Sequence, residues 1–356
     1  MYSELKTLLI GMRDRRASDL HISAGNPIYY RIDGQLVTAG SNECLSAQQA
    51  KDIIYSLLTK EQIIMLDEEK ELDFSFQIED VARYRGNIFF QRGNAACAVR
   101  LIPLRIMSLE ECGLPANIVK DFCRAQKGLV LVTGTTGSGK STTLAAMVDE
   151  INNTRSCHIV TVEDPIEFVH TDKKALIAQR QISYDTYSFS NALKHVLRQD
   201  PDVILIGELR DLDTIQQALV IADTGHLVLG TLHTSDSVQS INRIIDVFPP
   251  HQQHQVRSQL SFVLLGIVSQ QLLPKKESIG RVLAAEILVA TPPVRSMIRD
   301  AKEHQILSVI QTSQKAGMKT MNQALADLYF AGKITHSDAI AKTSDPEDLA
   351  KVIGAK

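Results

Sequence analysis

Apolar side chains change their spacing along the chain, and the changes divide it. Leu5, Leu8, Leu9 and Met12 recur at helical intervals, which predicts an amphipathic helix over 2–15. Residues 17–36 read as extended segments about an Asp33-Gly34 turn. Ser46 with Gln49 forms a capping box ahead of a helix carrying Ile53, Ile54, Leu57 and Leu58. Strand-like runs follow at 71–78, 83–92 and 95–102, so 1–102 is expected to form a small α+β domain. Residues 103–115, punctuated by Pro103, Gly113 and Pro115, read as a linker. From 116 the pattern becomes aliphatic runs at 128–134, 156–164, 201–208 and 225–234, separated by helix-like stretches. That alternation predicts an α/β domain over 116–290, its parallel sheet covered on both faces. Beyond Pro249 and Pro250 the chain reads as mainly helical, with 291–356 a helical C-terminal region. There is no internal repeat or low-complexity tract.

At 356 residues the chain suits two domains rather than one core. Lys and Arg total 38 against 41 Asp and Glu, a net charge of −3, and no stretch is strongly basic. Nucleic-acid binding draws most of its affinity from basic surface, so no nucleic-acid partner is expected. The five cysteines, Cys44, Cys97, Cys112, Cys123 and Cys157, are scattered and never spaced as CxxC, which predicts free thiols in a reducing compartment. The N-terminus lacks the apolar core of a signal peptide, and the apolar stretch 260–273 is broken by Ser and Gln. A soluble, cytoplasmic protein that docks on a membrane machine is expected.

The clearest chemistry lies at Gly134, Thr135, Thr136, Gly137, Ser138, Gly139, Lys140 and Ser141, a full GxxxxGK[ST] match. An apolar strand, Leu129 to Val132, runs into it, and a helix with Leu144, Met147, Val148 and Ile151 on one face, opened by Ser141 and Thr142, runs out. Glycines let the backbone turn its N–H groups inward on phosphate oxygens, and the helix N-terminus adds partial positive charge. Lys140 is expected to reach the β- and γ-phosphates, and the Ser141 hydroxyl to coordinate Mg²⁺. No guanine-reading NKxD motif is present, which favours ATP.

Two acidic groups end predicted strands, where α/β proteins place ligands. One is Glu163, in Thr161-Val162-Glu163-Asp164-Pro165; the other is Glu208, after Leu205-Ile206-Gly207. An apolar run of the second kind usually ends in Asp; here Gly207 holds that place. Either glutamate could orient a water and accept its proton, and either could instead cap a helix or pair on the surface. His226 and His233 flank the last aliphatic strand, where a polar group can sense a γ-phosphate or simply satisfy the core. Arg83, Arg85, Arg92 and Arg100 lie on strands of the first domain and are either surface charges or phosphate ligands, a task the planar guanidinium suits.

TGTTGSGKSTTLAAM, TVEDPIEF, RQDPDVILIGELRDLDTI and TGHLVLGTLHT, in this order, resemble the Walker A, Asp box, Walker B and His box of the secretion ATPase superfamily. ASDLHI and RYRGNIFFQRG resemble its N-terminal PAS-like domain. Within the superfamily the chain is most similar to the PilT-type retraction ATPases, being short and lacking a four-cysteine zinc module. At the place of their AIRNLI helix motif it has Pro293-Val294-Arg295-Ser296-Met297-Ile298-Arg299, where Arg295 matches while Pro293 and Ser296 depart. The resemblance implies a RecA-like P-loop ATPase domain after the PAS-like one. It implies that Lys140 and Ser141 bind phosphate and Mg²⁺, that Glu163 is the general base, and that Glu208 helps hold Mg²⁺ and water. His226 and His233 would couple nucleotide state to subunit geometry, and Arg83, Arg85 and Arg92 would reach phosphate. It further implies a homohexameric ring acting on an inner-membrane pilus platform protein at the cytoplasmic face, powering pilus retraction and twitching motility. The alternatives are a pilus extension or type II secretion ATPase, or a weakly hydrolysing regulatory subunit.

Overall fold

The computed structural model describes residues 3–32, 34–78, 81–102, 105–277 and 280–354. The chain divides into two units, Met1–Arg105 and Ile106–Lys356.

The first unit contains α1 (Ser3–Asp14), β1 (Asp19–Ser23), β2 (Tyr29–Ile32), β3 (Gln35–Thr38), α2 (Ala47–Tyr55), α3 (Lys60–Glu69), β4 (Glu71–Ile78), β5 (Ala82–Gln91) and β6 (Asn94–Ile102). Its strands pair antiparallel in the order β3-β2-β1-β6-β5-β4. Alternation decides the faces. Leu20, Ile22, Tyr30, Phe74, Tyr84, Ile88 and Val99 turn inward and pack with Leu5, Leu9 and Met12 of α1. The Tyr84 hydroxyl donates to Leu9 O at 2.8 Å and that of Tyr30 to Leu8 O at 2.6 Å, fastening the helix to the sheet. The Ser46 capping box forms as the sequence predicts, and Thr59 with Gln62 builds a second ahead of α3. Asp33, half of the expected turn, lies outside the described residues, as do Pro103 and Leu104 of the expected linker; the strands around Asp33 pair Ile32 with Gln35.

The second unit runs α4 (Ala116–Arg124), β7 (Gly128–Thr133), α5 (Lys140–Thr154), β8 (His158–Glu163), β9 (Leu176–Gln181), α6 (Phe189–Val196), β10 (Val203–Ile206), α7 (Leu212–Asp223), β11 (Leu227–Leu232), α8 (Ser237–Asp246), α9 (Pro250–Val263), β12 (Leu264–Pro274) and β13 (Arg281–Val289). It ends in α10 (Pro292–Arg299), α11 (Ile306–Thr312), α12 (Met321–Phe330), α13 (His336–Lys342) and α14 (Pro346–Gly354). The sheet order is β13-β12-β7-β11-β10-β8-β9, parallel but for β13. Leu129, Leu131, Val160, Val162, Ile204 and Ile206 face the layer of α6 to α10. Their neighbours Val130, Val132, Ile159, Val203 and Leu205 face α4 and α5. Burial on both faces is why these strands are continuously aliphatic.

Beyond Pro250 the chain is mainly helical, as expected, but it also carries two strands that the sequence pattern did not reveal, β12 and β13. Ser269 and Gln270, which break the apolar run in the sequence, are fully buried. The Ser269 hydroxyl accepts from Thr133 Oγ1 at 2.9 Å, and Gln270 Nε2 donates to Thr143 Oγ1 at 2.7 Å. These bonds pair the Ser269 hydroxyl and the Gln270 amide nitrogen inside the unit, while Gln270 Oε1 is buried without a partner, so the two polar residues do not end the strand. Cys97 and Cys123 are free and buried, and burial pushes their thiols up to about 12. Among the described residues no helix is long and apolar enough to cross a membrane.

A buried carboxylate fastens β13 to two helix starts. Glu286 Oε1 accepts from Ser237 N at 2.8 Å and Ser237 Oγ at 2.7 Å at the head of α8, and the carboxylate also accepts from the Met321 backbone at the head of α12. Glu286→Ala strands these donors in a dry interior and should cost about 3 kcal/mol of unfolding free energy. Denaturant unfolding monitored by circular dichroism checks this, and a loss below about 1 kcal/mol would contradict the fastening.

Candidate functional site

The site is set by strand register. Ile206 of β10 pairs with Gly230 of β11 and Val162 of β8, while Thr133 of β7 pairs with Leu232 of β11. Four parallel strands therefore end at one edge of the sheet, and the loops leaving them share it.

From β7 the chain enters the phosphate-loop motif. Gly134 is buried with φ 143°; a Cβ there would lie 2.5 Å from both Gln270 O and Ser138 Oγ. Gly137 at φ 79° and Gly139 at φ 95° turn the backbone through the left-handed region into α5. Gly139 is the N-cap and supplies no side-chain hydrogen bond, so the first-turn amides of α5, including those of Ser141 and Thr142, face a position with no built-in acceptor. Thr135 and Thr136 are exposed, and the Ser138 hydroxyl is buried with no hydrogen-bond partner. Lys140 turns back over the loop, its Nζ donating to Gly134 O at 2.8 Å and Thr135 O at 3.1 Å. Burial lowers the Lys140 pKa, against the charges of Glu208 and Glu167. A half-buried ammonium bonded only to neutral carbonyls suits an incoming anion. The donor set fits a nucleotide polyphosphate.

The carboxylates beside the loop differ in their surroundings. Glu163, the last residue of β8, is half-buried; its Oε1 accepts from Thr161 Oγ1 at 2.6 Å and Gln179 Nε2 at 3.2 Å. Burial raises its pKa, these hydrogen bonds opposing and the Glu167 charge assisting. For Glu208 burial also pushes upward, but Arg210, by hydrogen bond and charge, with His233 and Lys140, outweighs it and holds the carboxyl below the ordinary range. Arg210 Nε lies 2.8 Å and His233 Nε2 3.5 Å from Glu208 Oε1. Gly207 has a packing reason: a Cβ would meet Val162 O at 3.2 Å and Glu163 Cα at 3.3 Å, leaving little room for the usual Asp.

The structure thus brings Lys140, Glu208 and His233 together, with Glu163 at the same edge. His226 is not among them. It precedes Leu227, which pairs with Gly128 at the start of β7, so it stands a strand length, about 20 Å, from the phosphate loop. There its Nδ1 lies 3.2 Å from Ile221 O. Arg83, Arg85 and Arg92 belong to the first unit. Arg83 Nη2 donates to Ser75 Oγ at 2.9 Å, Arg85 pairs with Asp73 at 3.7 Å, and Arg92 sits at φ 50° in the β5–β6 hairpin turn. Sequence reasoning missed Arg210, Thr161 and Gln179. Thr161 was readable as the same-face neighbour of Glu163; Gln179 depends on β9, whose run is not aliphatic.

The departure at Pro293 has a local cause. Pro292 and Pro293 occupy the first turn of α10, where no amide donor is needed. Arg295 donates to Ala290 O at 2.9 Å and to Ser261 O and Phe262 O, each at 2.6 Å, closing the end of α9.

Comparison with known proteins places these features in a lineage. Residues 4–337 match the family model described as "Type II/IV secretion system protein". The chain is 46% identical over 346 residues to the type IV pilus retraction ATPase PilT of Pseudomonas aeruginosa, covering 97% of this chain and 100% of that protein. It is 44% identical to a twitching motility protein of Neisseria gonorrhoeae, covering 98% of this chain and 92% of the other. A crystal structure of the pilus retraction motor PilT with bound ADP superposes with a TM-score of 0.90 at 45% identity, covering 98% of each chain.

Thr161→Val removes a hydrogen bond that favours the charged form of Glu163. The Glu163 carboxyl should then titrate at higher pH than in the unaltered chain, followed by carboxyl carbon NMR. A midpoint that stays or falls would show that this bond does not tune Glu163.

Proposed function

Because the chain belongs to the Type II/IV secretion system protein family, we infer that it is an ATPase whose work is the retraction of type IV pili, with the twitching motility that follows from it. The observation that carries this reading is the shared edge: a phosphate loop with its lysine in reserve, beside two glutamates held in opposite electrostatic states.

On this reading the polyphosphate takes the Lys140 ammonium from the carbonyls of Gly134 and Thr135, and the amides opening α5 close on its oxygens. Mg²⁺ would be held by the Ser141 hydroxyl and, partly through water, by Glu208; bound, it neutralises charge on the β- and γ-phosphates. A carboxylate kept ionised by Arg210 suits that place. Glu163, whose pKa is raised, orients the attacking water and takes its proton, since a base works best near the operating pH. His233, 3.5 Å from Glu208, registers the γ-phosphate on this reading. Arg83, Arg85 and Arg92 supply further cations to phosphate from the same or a neighbouring copy, in a homohexameric ring. The ring acts on an inner-membrane platform protein at the cytoplasmic face, withdrawing pilus subunits; the naming of the relatives as retraction and twitching proteins supports this.

The test is steady-state ATPase activity of the unaltered chain, Lys140→Ala and Glu163→Gln, with particle mass measured on the same samples. Magnesium-dependent hydrolysis by a hexamer is expected. Lys140→Ala should lose tight nucleotide binding, and Glu163→Gln should keep the ring and bind ATP while turnover drops about a hundredfold or more. Undiminished turnover in Glu163→Gln would remove it as base. A stable ring that binds ATP without hydrolysing it would favour a regulatory subunit.

A further inference from the structure

Glu163 is held from a neighbouring strand as well as from its own. Gln179 of β9 stands opposite Thr161 of β8 in parallel register, and paired positions share a face of the sheet. Thr161, Glu163 and Gln179 therefore lie on the face that Ile159 turns to α4 and α5. The Gln179 amide makes three bonds there. Its Nε2 donates to Glu163 Oε1 at 3.2 Å and to Phe168 O at 2.8 Å, and its Oε1 accepts from His170 N at 2.8 Å. The two backbone partners fix how the amide lies, because a carbonyl only accepts and a backbone N–H only donates. The NH₂ end is thus the one presented to the carboxylate.

Thr161 and Gln179 both donate to Oε1, so neither occupies Oε2, which can turn to water. Gripped through one oxygen from two strands, the carboxylate loses the broad rotation its terminal bond would otherwise allow. The charge beside it is Glu167, in the loop 164–170 that follows β8, and the Glu167 backbone also donates to Glu163. Phe168 and His170 belong to this loop, so Gln179 ties the loop and the carboxylate to each other. Gln181, two residues further along β9, holds the loop as well: its Oε1 accepts from Ile166 N at 3.3 Å. Both glutamines tether the loop, whereas the hydrogen bonds on Glu163 come from Thr161, Gln179 and Glu167.

We propose that Gln179 is a positioning residue for hydrolysis, fixing the Glu163 carboxylate from β9 so that its second oxygen meets the attacking water. This rests on the reading of Glu163 as base above. The experiment is steady-state ATPase activity of the full-length chain across pH, for Gln179→Ala, Gln181→Ala and Glu163→Gln, with thermal unfolding on the same samples. Gln179→Ala should lower kcat about tenfold and leave KM for ATP within about twofold, because the loss falls on proton transfer rather than on binding. Removing a donor that favours the charged carboxylate raises its pKa, so the acidic limb of the kcat profile should move to higher pH. Gln181→Ala, which loosens the loop without touching that bond, should leave the limb in place. Where Gln179→Ala does not fold, Gln179→Met, of similar length and without the donor, carries the same expectation. An unmoved limb would overturn the proposal. Equal movement in Gln181→Ala would also overturn it, by making the loop tether sufficient. Full turnover in Glu163→Gln removes the base, and this inference with it; slow Glu163→Gln beside an undiminished Gln179→Ala removes this inference alone.

Discussion

Parallel pairing in fixed register is the constraint on which the second unit depends. Leu232 opposite Thr133, and Ile206 between Val162 and Gly230, set the heights at which four strands stop. Slipping one strand by a residue would turn its aliphatic side chains to the wrong layer and move a glutamate off the edge. The hydrophobic layers on both faces enforce the register, so the energy that folds the sheet also positions its chemistry. Gly207 belongs to the same constraint: β10 and β8 approach so closely beyond Ile206 that a side chain there would press on Glu163.

Register places Glu163 and Glu208 alike; their neighbours make them differ. Glu163 is half-buried and meets only neutral donors, which stabilise its charge less than water did. Glu208, also half-buried, faces Arg210, His233 and Lys140. Desolvation wins in one case and cations in the other, which separates two identical side chains into groups suited to different tasks.

Much of this was legible in the sequence, because long aliphatic runs and fixed-spacing motifs encode local physics. The strand–loop–helix around Lys140, the strands ending near Glu163 and Glu208, and the Ser46 capping box follow from neighbours in the chain. β12 escaped because Ser269 and Gln270 bond Thr133 and Thr143, over a hundred residues away. β9 escaped because an edge strand has one open side and needs no unbroken aliphatic pattern. His226 and His233 look equivalent in sequence because they flank one strand, while a strand carries its two ends to opposite edges of a sheet.

The fastening made by Arg295 bears on how force would leave the sheet. One rigid guanidinium grips the last carbonyls of α9 and the carbonyl at the exit of β13, while its own backbone is already part of α10. A flexible joint there would absorb displacement as changes in backbone angle. A planar clamp with three short bonds resists shear, so α9, β13 and α10 are tied to one another at a single point.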